Sequence, residues 1–140
     1  MLGAAAEAAS EATLRLLAVT VLTSLDADEL GQAWGRSAPD VSGEVRRLTG
    51  LAATAGVDGG VCSAGEAARG RTDQGRDFRV VTPGIRPAGS DVGDQKRVAA
   101  PADAVRAGAD YLGLGRAGTR ATNPGAALAD VLAEVAAATD

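Results

Sequence analysis

Three polar side chains stand just past apolar runs in the second half of the chain. Arg86 follows Val80-Val81-Thr82-Pro83-Gly84-Ile85, Gln95 sits in Gly93-Asp94-Gln95-Lys96-Arg97, and Arg116 closes Gly113-Leu114-Gly115. The two arginines carry forked, permanently charged donors, and Gln95 carries a neutral amide donor. Gly84 and Gly115 lack the Cβ that would hold a ligand away from backbone N–H groups. Forked cations, an amide and open backbone at converging strand ends are the parts of a phosphate-binding site. The polar stretch from Pro83 to Arg97, which lies between a strand and a helix and carries the first two of these groups, is long for a compact domain, which points to a functional loop.

For these residues to converge, parallel strands must deliver them to one end of a sheet. The hydrophobic pattern supplies such strands at residues 16–22, 57–62, 78–82 and 109–114, each short, apolar and bounded by turn residues. Helical sequence alternates with them: an Ala- and Glu-rich helix at 3–13, a short one at 26–34, and one at 42–55 with Val45, Leu48, Leu51 and Ala52 on a single face. Short helices follow at 63–69, with a loop from Gly70 to Asp77, and at 101–107. Asn123-Pro124 opens a final helix whose buried stripe should be Leu128, Val131, Leu132 and Val135. Alternation of this kind implies an α/β fold with right-handed crossovers, one domain over residues 1–140. Thr23 and Ser24 then end the first strand on the same face as the arginines.

Composition narrows the function classes. Hydrophobic residues make up 46% and aromatics 2%, so the core must be assembled from Ala, Val and Leu. A formal net charge of −4 with a pI near 4.8 argues against a nucleic-acid surface. No apolar run reaches membrane-spanning length, and no secretory leader is recognisable. One Cys and no His exclude a Cys/His metal site, and a lone Cys62 fits a reducing, cytoplasmic setting and a packed, unreactive thiol. Trp34 is expected to anchor its helix. Asp91, Asp94 and Asp110 have no spacing suited to acid–base work.

VTPGIRP, then GDQKRV, then the helix PADAVRAGADY and the strand end GLGR resemble the closing section of the orotidine 5'-phosphate decarboxylase family. LLAVTVLTSLDADEL and GVDGGVCSAGEA, earlier in the chain, are similar to the same family in the same order. The resemblance covers nearly the whole chain. It implies a (β/α)8 barrel, of which this chain would supply strands 5 to 8 as a half-barrel; a full barrel typically takes about 250 residues. It implies the conversion of orotidine 5'-phosphate to UMP and carbon dioxide without a cofactor. By the same resemblance Arg86, Gln95, Arg116 and the Gly115 backbone meet the substrate's phosphate, Thr23 approaches its base, and the loop from Pro83 closes over it.

The family's catalytic Asp-Lys-Asp array belongs to its N-terminal half, and no segment here matches it. The one lysine, Lys96, lies in an exposed Asp-Gln-Lys-Arg setting that offers little of the burial a proton-donating lysine needs. No residue of this chain is therefore assigned a catalytic role, and the chain alone is expected to be inactive. Within its own half the chain departs from the family's pattern: Ala117-Gly118 replaces a Pro and an aliphatic residue after Arg116, and Ala100 replaces a capping Thr. The alternative is a non-catalytic half-barrel that binds a phosphorylated ligand or self-associates as a homodimer through its open edges. Another phosphate-binding barrel, a sugar-phosphate synthase or an aldolase, fits VTPGIRP and GDQKR less well.

Overall fold

The computed structural model describes residues 1–37, 39–87 and 93–139. Helix α1 (Leu2–Ser10) leads into strand β1 (Leu17–Val19), followed by α2 (Ala27–Trp34) and α3 (Val41–Thr54). Then come β2 (Gly59–Val61), α4 (Ala64–Gln74), β3 (Arg79–Thr82), α5 (Pro101–Arg106), β4 (Tyr111–Leu112), α6 (Arg116–Thr119) and α7 (Pro124–Thr139). The four strands form one open parallel sheet in the order β1-β2-β3-β4, so each strand pairs with its sequence neighbours. Sequential parallel order with helical crossovers is the expected half-barrel arrangement.

The core lies between the sheet and its helices. Val21, Cys62 and Val80 from the strands and their ends pack with Leu30, Val45 and Ala67 from α2, α3 and α4. Side chains alternate along a strand, and residues in register share a face. Val19, Val61, Val81 and Tyr111 are in register across all four strands and face away from that core. Val19 is 62% and Tyr111 59% exposed, so this second face of the sheet is apolar and uncovered.

The strands are shorter than the apolar runs. After Val19, the Thr20 hydroxyl donates to Val61 O at 2.7 Å, and its N–H reaches the same oxygen at 3.3 Å. The side chain thereby shares the acceptor that would continue the ladder. At β4 the hydrogen bonding outruns the strand itself, from Asp110 N–H to Val80 O and from Gly113 N–H to Thr82 O, both at 2.8 Å.

Three helical expectations are corrected. Helix α4 runs through Gly70 to Gln74, because Arg71 donates to the carbonyls of Gly75, Arg76 and Phe78 at 3.3, 3.2 and 3.1 Å and holds the last turn together. Along α7, which packs against α5 and α6, Val131 is buried and Val135 half-buried, whereas Leu128 and Leu132 are exposed. Trp34 ends α2 with 37% of its surface exposed, so it covers its end of the helix only in part. The short α6, absent from the sequence reading, starts at Arg116 itself.

Candidate functional site

The C-terminal ends of the four strands bring together the residues that the sequence singles out. Thr23, just past β1, is buried, and its hydroxyl donates to Gln95 Oε1. The carbonyl of Thr23 accepts from the backbone N–H groups of Lys96 at 3.1 Å and Arg97 at 3.2 Å. The end of the polar loop is thus seated on the end of β1. Gly84, past β3, has φ +74°, and a Cβ there would stand 3.0 Å from Arg97 O and 3.5 Å from Gln95 Oε1. Only glycine allows this turn and this approach together.

Gln95 and Arg116 converge on one anion. The Gln95 amide donates to Asp94 Oδ1 at 3.3 Å, and Arg116 Nη2 forms an ion pair with that same oxygen. The Asp94 carboxyl is held below its ordinary pKa by Arg116 first and Gln95 second. Gly115 precedes α6 as its N-cap and is exposed, with nothing within 4 Å of where a Cβ would lie, so a ligand has room beside its backbone.

Arg86 is placed differently. Its side chain is buried, Nη1 donates to Ile85 O at 3.0 Å, and its N–H donates to Ala99 O at 2.9 Å. The backbone bond and the Ile85–Ala99 bridge pin the two ends of the loop after β3 to each other, while the Nη1 bond stays within Ile85-Arg86. The middle of the expected lid, including Gly89 and Asp91, lies outside the described residues.

Lys96 has the carboxylates but not the burial. Its ammonium pairs with Asp26 Oδ2 at 2.6 Å and Glu29 Oε2 at 2.7 Å, with the side chain 41% exposed. Hydrogen bonds to Asp26 and then Glu29 raise its pKa, so it keeps its charge and serves as a tether between the loop and α2. Asp26 and Glu29 are lowered in turn, Asp26 mainly by the Glu29 N–H that it caps and Glu29 mainly by Lys96. Ser24 is half-buried beside them.

Sequence reasoning missed Arg97. It pairs with Glu66, a residue of the first turn of α4, at 2.7 Å, and Glu66 also closes a capping box with Ser63. The Ser63-x-x-Glu66 spacing was a visible signal for the box; the arginine partner, 31 positions away, had none. Cys62 lies beneath this pair. Burial first, then the Glu66 charge, pushes its thiol up to about 11, with Arg97 partly opposing, which fits the packed, unreactive thiol expected.

Residues 1–131 match the model of the family described as "Orotidine 5'-phosphate decarboxylase / HUMPS family". An orotidine 5'-phosphate decarboxylase of Methylobacterium nodulans is 54% identical over 129 residues, covering 89% of this chain and 52% of that protein. One from Pseudoalteromonas translucida is 53% identical over 116 residues, covering 83% of this chain and 49% of that protein. The crystal structure of orotidine 5'-phosphate decarboxylase from Lactobacillus acidophilus superposes with a TM-score of 0.70 at 34% identity, over 89% of this chain and 50% of that one. The chain spans about half the length of the curated relatives it matches.

Proposed function

This chain belongs to the orotidine 5'-phosphate decarboxylase / HUMPS family, and from that premise we propose that residues 1–140 are one domain, the phosphate-binding half of a decarboxylase site. The substrate class is a pyrimidine nucleoside 5'-monophosphate: orotidine 5'-phosphate, decarboxylated to UMP for pyrimidine synthesis. One observation carries the reading. Arg116 and Gln95 already converge on a single anionic oxygen, that of Asp94, at the open ends of the strands. A ligand phosphate would take over those donors, with the Gly115 backbone beside it. Thr23 would turn its hydroxyl toward the base, and Arg86 would complete the charge from the loop after β3.

The phosphate is remote from the carbon that loses carbon dioxide, so these contacts contribute by holding substrate and lowering the barrier through binding energy rather than by chemistry. Proton donation falls to a lysine and aspartates of the family's other half. No cofactor or metal enters this reading. A cytoplasmic setting is part of it; no helix among the described residues is long and apolar enough to cross a membrane. A decarboxylation assay tests the division of labour. The chain alone should give no turnover, and a complementary half bearing Asp-x-Lys-x-x-Asp should restore it. Turnover by the pure chain that is lost in Lys96→Ala would overturn the assignment.

A second reading rests on the uncovered sheet face. The band Val19, Val61, Val81 and Tyr111, with Leu17 beside it, leaves apolar surface and two strand edges open. Two copies would supply eight strands and cover that band, so the isolated chain is expected to self-associate. Sedimentation velocity at micromolar concentration decides: a cooperatively unfolding monomer contradicts this.

A further inference from the structure

Arg97 ends the polar loop, and its guanidinium runs back across the strand ends instead of into solvent. Nη1 pairs with Glu66 Oε1 at 2.7 Å, and Nη2 donates to the carbonyls of Val21 at 3.0 Å and Leu22 at 3.1 Å. The side chains are 19% and 8% exposed, and Nε is buried without a partner among the described residues. The other Glu66 oxygen accepts from the Ser63 N–H at 3.0 Å and from the Ser63 hydroxyl. One cation therefore joins the segment just past β1, the first turn of α4 and the loop after β3. The backbone N–H of the same residue rests on Thr23 O, two positions from the Gln95 amide.

We propose that Arg97 is the positioning residue of the phosphate site. By clamping the loop to the segment past β1 and to the first turn of α4 it sets Gln95 against Thr23, so that the amide faces the ligand, without itself touching it. The inference rests on the phosphate reading above. A buried ion pair is poor evidence of stabilisation, since apolar packing often does as well. What a forked cation adds is geometry, because it spans a carboxylate and two carbonyls at once, and the point charge of a lysine does not. The partnerless Nε fits a side chain retained for where it holds the loop.

The test is a double-mutant cycle read by calorimetry with UMP and with uridine, on the wild type, Gln95→Ala, Arg97→Lys and the double variant. Gln95→Ala should weaken UMP binding about tenfold, the size expected for a hydrogen bond to a charged group. Arg97→Lys, which keeps the charge, should weaken UMP about fivefold and leave uridine unchanged, and it should reduce the Gln95→Ala effect to under about twofold, a coupling of the size that contacting residues show. A purely structural Arg97 would weaken both ligands alike and leave the Gln95→Ala loss at tenfold, which would overturn the proposal. If Arg97→Lys does not fold, Glu66→Gln loosens the same clamp from its other end, and an additive cycle there overturns the proposal equally. A wild type that binds UMP and uridine equally removes the phosphate site and the positioning role together; one that discriminates but gives an additive cycle removes only the latter.

Discussion

Carboxylates and guanidinium groups meet at both ends of the sheet, yet they are engaged in different ways. At the N-terminal ends of the strands they hold backbone. Asp58, just before β2, accepts the N–H of Leu16 at 2.7 Å, and Asp110, just before β4, accepts the N–H of Val80 at 2.7 Å. Arg71 binds Asp110 and the carbonyls of Gly75, Arg76, Phe78 and Gly108. At the C-terminal ends the charged groups mostly meet other side chains, tying the loop after β3 to the starts of helices: Lys96 to Asp26 and Glu29 at α2, Asp94 to Arg116 at α6, Arg97 to Glu66 at α4, with Arg97 also holding two carbonyls. A charge satisfied by strand starts contributes to folding. A charge satisfied by another exposed side chain, as Arg116 is by Asp94, can exchange that partner for a ligand. In (β/α)8 enzymes the site lies at the C-terminal face, and here the pairing pattern supplies a physical reason.

The sharpest way to break the contrast is to delete one partner at each end. Asp110→Ala removes an acceptor of two hydrogen bonds, one from a cation, and should cost about 2–3 kcal/mol in urea unfolding while leaving UMP affinity per folded molecule unchanged. Arg116→Ala should do the reverse: UMP affinity falls about tenfold, and stability moves by no more than about 0.5 kcal/mol, because its pair with Asp94 is exposed. Equal stability losses at the two ends would erase the distinction. Asp94→Ala sharpens it further. The ligand must displace Asp94 from Arg116, and an exposed pair is weak, so UMP binding should tighten by only about twofold to threefold in the same calorimetry.

The smallest effect at neutral pH concerns Cys62, which lies toward the C-terminal ends of the strands but faces the helices. Its folded pKa is raised to about 11 from 9.0, so its contribution to stability is complete below pH 9.0 and is lost as pH rises toward 11. The urea midpoint should be flat in this respect from pH 7 to 9 and then fall, and Cys62→Ala should remove that part of the fall. A midpoint whose fall above pH 9 is the same with and without Cys62 would mean that the thiol is less buried than the fold implies.

The sheet was legible because each strand is an apolar run with a turn after it, and sequential runs separated by helical sequence leave one economical topology. Arg116, Gln95 and Gly84 were legible because they stand at those turns. The long-range partners were not. Lys96 reaches Asp26 across 70 positions and Arg97 reaches Glu66 across 31, and nothing local in GDQKR distinguishes a lysine that tethers from an arginine that clamps. The run of α4 through Gly70 was hidden for a related reason: a glycine costs a helix about 1 kcal/mol, and the offsetting bonds come from Arg71 to carbonyls beyond the helix end. On α7 the apolar pattern marks a face, but burial depends on what packs there, and with α5 and α6 against the helix Val131 is buried while Leu128 and Leu132 stay exposed.

Calorimetry of the wild-type chain with UMP and uridine, in one buffer at one salt concentration, tests the central claim most directly. Phosphate recognition by Arg116, Gln95 and the Gly115 backbone predicts that UMP binds at least about tenfold more tightly than uridine, from one charge-assisted contact alone, and that the difference shrinks as salt is raised. Equal affinities for the two ligands would contradict it.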